Sequence, residues 1–229
     1  MSTAVLTAGT VSNTDLPASE RISEKQGAID FIINTTRLNS GVTVVSTAPM
    51  GNLAEAIRIA PDIKAKISAI LTSSGYYGVR KLEIPPRCTW NIRTDPMATK
   101  IVLESGIEIR AIGLEITSRL SDNMVDEILK ERSCSVRLAF FIKAVEFSRQ
   151  YQIEPSSLLV DAVAAAYAVD SSLAHFVHGK IKMDSPENPD ENFTRLYGLS
   201  NVGNNSNVFA ADSFQFRKYI KMLENRVFR

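Results

Sequence analysis

Cysteine is scarce in this chain. Only Cys88 and Cys134 occur in 229 residues, far apart and in neither metal-like nor redox-like spacing. A disulfide framework is therefore excluded as an organising principle, and a reducing compartment, the cytoplasm, is expected. One-sided charge is missing too: 26 basic residues stand against 25 acidic ones, a net charge of +1, which gives no electrostatic ground for a nucleic-acid or anionic-membrane partner. No apolar run approaches the roughly 20 residues needed to span a bilayer. The opening segment, MSTAVLTAGTVSNTDLP, has neither a basic stretch nor a long apolar one, unlike a secretory signal. Internal repeats and low-complexity tracts are also lacking. The expectation is a soluble, cytoplasmic, globular chain, long enough to bury a core without staples.

What is present is an alternation of two periodicities. Residues 1–22 are rich in Ser, Thr, Gly and Ala and read as an irregular arm, followed by one domain over 23–229. EKQGAIDFIINTTRLN places Ala28, Ile29, Ile32, Ile33 and Thr36 on one helical face. VTVVST, SAILTSS and IEIRAIGLEIT are apolar, partly β-branched runs that read as buried strands. Between them GNLAEAIRIAPDIKAKI is helical, with Asn52 as its expected cap, and DPMATKIVLESG carries an Asp cap, Pro at the first helical position and a closing Gly. Helices are expected at about 121–131 and 135–151, the second with Val136, Phe140, Phe141, Ala144, Val145 and Ser148 on one face. GKIKMD and NVFAAD are short strand candidates, and SFQFRKYIKMLENRV is a closing helix. Strand and helix alternating from residue 25 to about 117 imply parallel strands with crossover helices, so the fold class is α/β with a mostly parallel sheet flanked by helices.

The chemistry-bearing candidates are few. In SSLLVDAVAAAYAVDSSL a single carboxylate, Asp161, interrupts an apolar, alanine-rich run. A buried charge needs a pair, hydrogen bonds or a metal, so Asp161 is either a helix cap or part of a site. Asn91 either organises the turn before Asp95-Pro96 or contacts a ligand. Tyr76 and Tyr77, in a long loop between Gly75 and Asn91, either pack over the sheet edge or stack on a ring. His175 and His178, three apart, suggest a metal pair on a helix or, more simply, surface and packing residues. Cys88 reads as a buried small residue, since no His stands near it in sequence.

The blocks VTVVSTAPMGNLAEAI, WNIRTDPMATKIVLESGIEIRAIGLEIT and VDAVAAAYAVDSSL, in that order and at those separations, resemble the inosine-uridine nucleoside hydrolase family, and the resemblance runs from about residue 27. It implies an N-glycosidase in which water activated on calcium attacks the anomeric carbon of a ribonucleoside and releases the base. The metal is implied at the carboxyl ends of the strands. By the same resemblance Thr47 supplies a carbonyl to calcium, Asp161 a carboxylate, and Asn91 hydrogen bonds to ribose hydroxyls.

The departures from the family pattern shape the expectation. No D-x-D-x-x-x-D-D cluster is present, and Asp15 and Asp30 stand in no such pattern. Val160 occupies the place of a family His, Thr89 that of a Glu, and RKLE that of a Gly-Asn pair. Calcium takes about 6–8 oxygen ligands, and Thr47 with Asp161 would hold it weakly. The expectation is a nucleoside hydrolase-like protein without independent catalysis, acting as a binding or assembly component. The alternative is an active ribonucleoside N-glycosidase whose missing ligands come from a partner chain. Because the family's N-terminal strands lack a counterpart, VTVVST should present an open sheet edge. Either the N-terminal arm folds over it, or a second chain, identical or different, pairs with it in a homo-oligomer or hetero-complex.

Overall fold

The computed structural model describes residues 27–79, 89–130, 135–183, 194–197 and 207–229. Cys88, Cys134, the RKLE segment and the expected N-terminal arm lie outside them. In chain order the elements are α1 (Ala28–Leu38), β1 (Val42–Ser46), α2 (Gly51–Ile59), β2 (Ile67–Thr72), α3 (Trp90–Thr94), α4 (Pro96–Leu103), β3 (Ile109–Ala111), α5 (Leu114–Thr117), α6 (Asp122–Leu129) and α7 (Val136–Gln150). They continue with α8 (Ala162–Val169), β4 (Ala174–Met183), β5 (Thr194–Tyr197), β6 (Val208–Phe214) and α9 (Phe216–Arg226). Among the described residues two compact units result, one within 27–119 and 161–215, the other within 120–160 and 216–229.

The larger unit is built on a six-stranded mixed sheet of order β1-β2-β3-β6-β4-β5. The first four are mutually parallel, and β4 runs antiparallel to both β6 and β5. Parallel pairing follows from the crossovers: each of β1, β2 and β3 is separated by helix from the next, and such strands bury apolar side chains. Ile70, Ile109 and Val208 stand in one row across β2, β3 and β6, and form a core with Ile57 of α2 and Val102 of α4. Ile70 and Ile109 are fully buried, each such side chain contributing about 1.5–3 kcal/mol. On the opposite face Arg110 lies over the rings of Phe176 and Phe209 at 5.6 and 5.2 Å, and its Nη1 donates to the Tyr167 hydroxyl.

The cap of α4 forms as expected: Asp95 Oδ1 accepts from Ala98 N at 2.9 Å and Pro96 takes the first helical position. Several expectations need correction. Asn52 does not cap α2, which starts at Gly51 after Met50. The strand expected over IEIRAIGLEIT ends at Ala111 and gives way to α5. On one side its neighbour β2 ends at Thr72 and the chain turns away at Gly75, whose φ of +98° favours glycine, while on the other side β6 runs on to Phe214 paired with β4. His175 and His178 lie on β4, not on a helix; His175 Nδ1 meets Asp212 Oδ1 at 2.8 Å and the His178 ring stacks on Phe209. β1 is half-buried rather than covered on both faces, because it stands at the end of the sheet.

In the smaller unit α7 buries Leu138, Val145 and Ser148, while Val136, expected on that face, is exposed. Phe141 packs on Phe228 with ring centroids 4.8 Å apart. The Tyr219 hydroxyl of α9 donates to Leu159 O at 2.6 Å in a fully buried setting. Among the described residues no helix is long and apolar enough to cross a membrane.

Candidate functional site

The carboxyl ends of β1 and β2 converge on one place. Parallel strands end side by side there, and their following turns open the crevice in which α/β sheets characteristically place ligands. After β1 the chain passes through Thr47, and after β2 through Ser73 and Ser74, both buried. Asn91, near the start of α3, spans the two strand ends: its Nδ2 donates to Thr47 O at 3.3 Å and to Ser74 Oγ at 3.0 Å. A carbonyl accepts only, so the contact with Thr47 identifies Nδ2 and leaves Asn91 Oδ1 as an acceptor.

Asp161 joins the same group. Ser73 Oγ donates to its Oδ1 at 3.5 Å. The residue as a whole is exposed, not buried in the apolar run, but nearby protein displaces part of the carboxylate's water. That desolvation pushes its pKa up, and the Ser73 hydroxyl only partly opposes it. The helix-cap reading is corrected here. Asp161 does occupy the position before α8, but its backbone is already helical and its side chain makes no cap hydrogen bond. With helical φ and ψ the carboxylate is carried away from the first-turn amides that a cap must reach.

Sequence-derived positions 47, 91 and 161 are thus brought together through Ser73 and Ser74, which the sequence reading passed over. Two hydroxyl residues directly after a buried parallel strand were the available signal. A second omission is Glu115, a carboxylate inside the apolar run IEIRAIGLEIT. It is 2% exposed, and its Oε1 accepts from Tyr77 N at 2.7 Å and Val79 N at 3.2 Å. Its Oε2 is buried without a hydrogen-bond partner. Burial pushes the Glu115 pKa up, against the pull of backbone N–H groups. Tyr77 is a packing residue, buried against Ala111 and Ala210 with its hydroxyl donating to Ser74 O at 3.0 Å. Thr89 Oγ1 accepts from Gly75 N at 3.2 Å and so ties the post-β2 turn to α3. His175 and His178 do not join this group.

The described donors would hold calcium only weakly. Among the described residues one carboxylate, Asp161, and one carbonyl, Thr47, face the crevice, and that carbonyl already accepts from Asn91. Among the described residues no group of three or more His, Cys, Asp or Glu side chains stands together to hold a metal ion, whereas calcium sites draw on about 6–8 oxygens with several carboxylates.

Comparison with known proteins places these observations in a family context. The sequence profile of inosine-uridine preferring nucleoside hydrolases matches residues 4–221, beginning well before residue 27. The pyrimidine-specific ribonucleoside hydrolase RihB of Escherichia coli O1:K1 is 34% identical over 100 residues, 43% of this chain and 31% of that protein. The chain thus matches about a third of the length of that curated relative. The plant nucleoside hydrolase PpNRh1 superposes with a TM-score of 0.73 at 21% identity, covering 94% of this chain and 71% of the other. The purine-preferring ribonucleoside hydrolase from Gardnerella vaginalis does so with a TM-score of 0.70 at 24% identity, covering 92% and 68%. At these identities the two structures establish the α/β fold.

Proposed function

Given that the chain belongs to the inosine-uridine preferring nucleoside hydrolase family, we propose that it binds a ribonucleoside at the carboxyl ends of β1 and β2 and does not complete hydrolysis by itself. The observation that carries this reading is the Asn91 bridge, which holds Thr47 and Ser74 in one arrangement beside Asp161. Asn91 Oδ1 and the Asp161 carboxylate are acceptors suited to the hydroxyls of a ribose. Fixed polar groups of this kind give orientation and selectivity, because a ligand lacking the hydroxyl leaves them unpaired.

Catalysis asks for more than binding. Cleaving the N-glycosidic bond requires an activated water and relief of charge on the departing base. Calcium is the group that activates water in the family, and the described donors would hold it weakly. Val160 and Thr89 carry no group able to protonate a base. The second reading, an active N-glycosidase completed by another chain, is favoured by the place of β1. Among the described residues that strand pairs on one side only, with β2, and an open strand edge is a site for association with a second copy or a different chain.

The deciding experiment incubates the protein with inosine or uridine plus calcium, and measures nucleoside affinity, free ribose and bound metal together, with sedimentation to report assembly. Nucleoside binding that weakens about tenfold in Asn91→Ala, the loss of roughly one hydrogen-bonding contact, with no ribose released, is the expected result. Stoichiometric calcium with ribose release would overturn the non-catalytic reading, and an assembly appearing with that activity would favour the second.

A further inference from the structure

We propose that Glu115 is the positioning residue of this site: its buried carboxylate clamps the 75–79 turn onto α5, and through that turn fixes Ser73 and Ser74 where they meet Asp161 and Asn91. The inference rests on the reading of this crevice as a nucleoside site.

The clamp is made of specific contacts. Glu115 Oε1 receives two amides of the turn, Tyr77 N and Val79 N. At the base of α5, Leu114 N donates to Gly75 O at 2.8 Å. Tyr77 in turn holds the carbonyl of Ser74 through its hydroxyl, and Gly75 N is held by Thr89. Ser74 is therefore gripped at its carbonyl by the turn while its Oγ receives Asn91. A displacement of the turn moves Ser74 and releases the Asn91 carboxamide.

Close approach makes the clamp selective for its residues. A Cβ at Gly113 would lie 2.5 Å from Glu115 Oε2, 2.8 Å from Tyr77 Cδ2 and 2.9 Å from Gly75 O, so only glycine lets the turn and α5 meet here. A carboxylate buried at 2% exposure with one oxygen unpartnered works against stability. Such groups persist where they serve the geometry of a site. An apolar residue at 115 would leave the Tyr77 and Val79 amides without their acceptor.

The test uses the full chain and two readings that need no ligand: hydrogen exchange at the Tyr77 and Val79 amides, and the NMR resonances of the Asn91 side-chain amide. In Glu115→Ala, exchange at both amides is expected to rise about tenfold, and the Asn91 resonances to move toward those of a free carboxamide. Glu115→Gln keeps a neutral acceptor and is expected to bring both readings back near wild type. Ile63→Ala, a fully buried core position outside this turn, controls for general loosening and is expected to leave Asn91 unmoved. Should Glu115→Ala fail to fold, Glu115→Asp, one methylene short, takes its place with the same expectation.

Unchanged exchange at Tyr77 and Val79 would overturn the clamp. Raised exchange with Asn91 unmoved, or equal movement of Asn91 in Ile63→Ala, would overturn its positioning role, as would Glu115→Gln behaving like Glu115→Ala. Inosine and uridine titrations of the same proteins judge the nucleoside reading separately. Absence of binding by the wild type would sink that reading, while the two ligand-free measurements still decide the role of Glu115.

Discussion

Replacing Gly113 by alanine adds one methyl group where α5 meets the 75–79 turn. The new carbon would stand 2.5 Å from Glu115 Oε2, 2.8 Å from Tyr77 Cδ2 and 2.9 Å from Gly75 O, all inside van der Waals contact. Side-chain ends ordinarily swing away from such an intrusion, but here they are held. Glu115 is anchored through Oε1 and Gly75 O through Leu114 N. The backbone at Gly113 has φ −77° and ψ −172°, which alanine adopts freely, so the lost flexibility of the unfolded chain favours alanine by about 0.4–1 kcal/mol. Overpacking costs about 1–3 kcal/mol, leaving a net destabilisation of about 1–2 kcal/mol. Urea denaturation of wild type and Gly113→Ala measures it; with a slope of about 2 kcal/mol per molar the midpoint should fall by roughly 0.5–1 M. A midpoint equal to or above wild type would refute the close approach of α5 to the turn.

Three further outcomes are expected. Desolvation raises the Asp161 pKa above its ordinary value of 3.8, so the folded state holds this proton more tightly than the unfolded one. Its contribution is present below the unfolded pKa and lost as pH rises through the folded pKa. Asp161→Asn should therefore gain stability relative to wild type as pH rises from about 3 toward neutrality, and a difference independent of pH, read by denaturation at several pH values, would contradict the desolvation. Tyr219→Phe removes the buried donor to Leu159 O and should destabilise by about 1–3 kcal/mol in chemical denaturation; no change would show that the carbonyl finds another donor. Asp95→Ala removes the cap on α4 and should cost about 1 kcal/mol, with the loss of protection in hydrogen exchange concentrated at Ala98.

How much of this was legible beforehand varies from element to element. The α4 start was readable because a cap is a local event: Asp95, Pro96 and Ala98 are neighbours in the chain, and their geometry needs nothing from elsewhere. The buried strands were readable from apolar runs, since parallel strands in a core tolerate few polar residues. Positions 47, 91 and 161 were reached through family resemblance rather than periodicity. Their convergence through Ser73 and Ser74 is a property of the folded unit.

Sequence alone determined the α/β class, the even charge that gives no ground for a polyanion partner, and the presence of one carboxylate in the SSLLVDAVAAAYAVDSSL run. Tertiary structure decided what that carboxylate does. Asp161 and Ser73 are 88 residues apart, and no local preference records which hydroxyl will meet which carboxylate when β2 ends beside α8. The same holds for Glu115, whose partners Tyr77 and Val79 lie 38 and 36 residues away. Periodicity encodes which face of an element is buried. Contacts between strand ends depend on where each strand stops, and the apolar runs mark neither Thr72 nor Ala111 as a strand end.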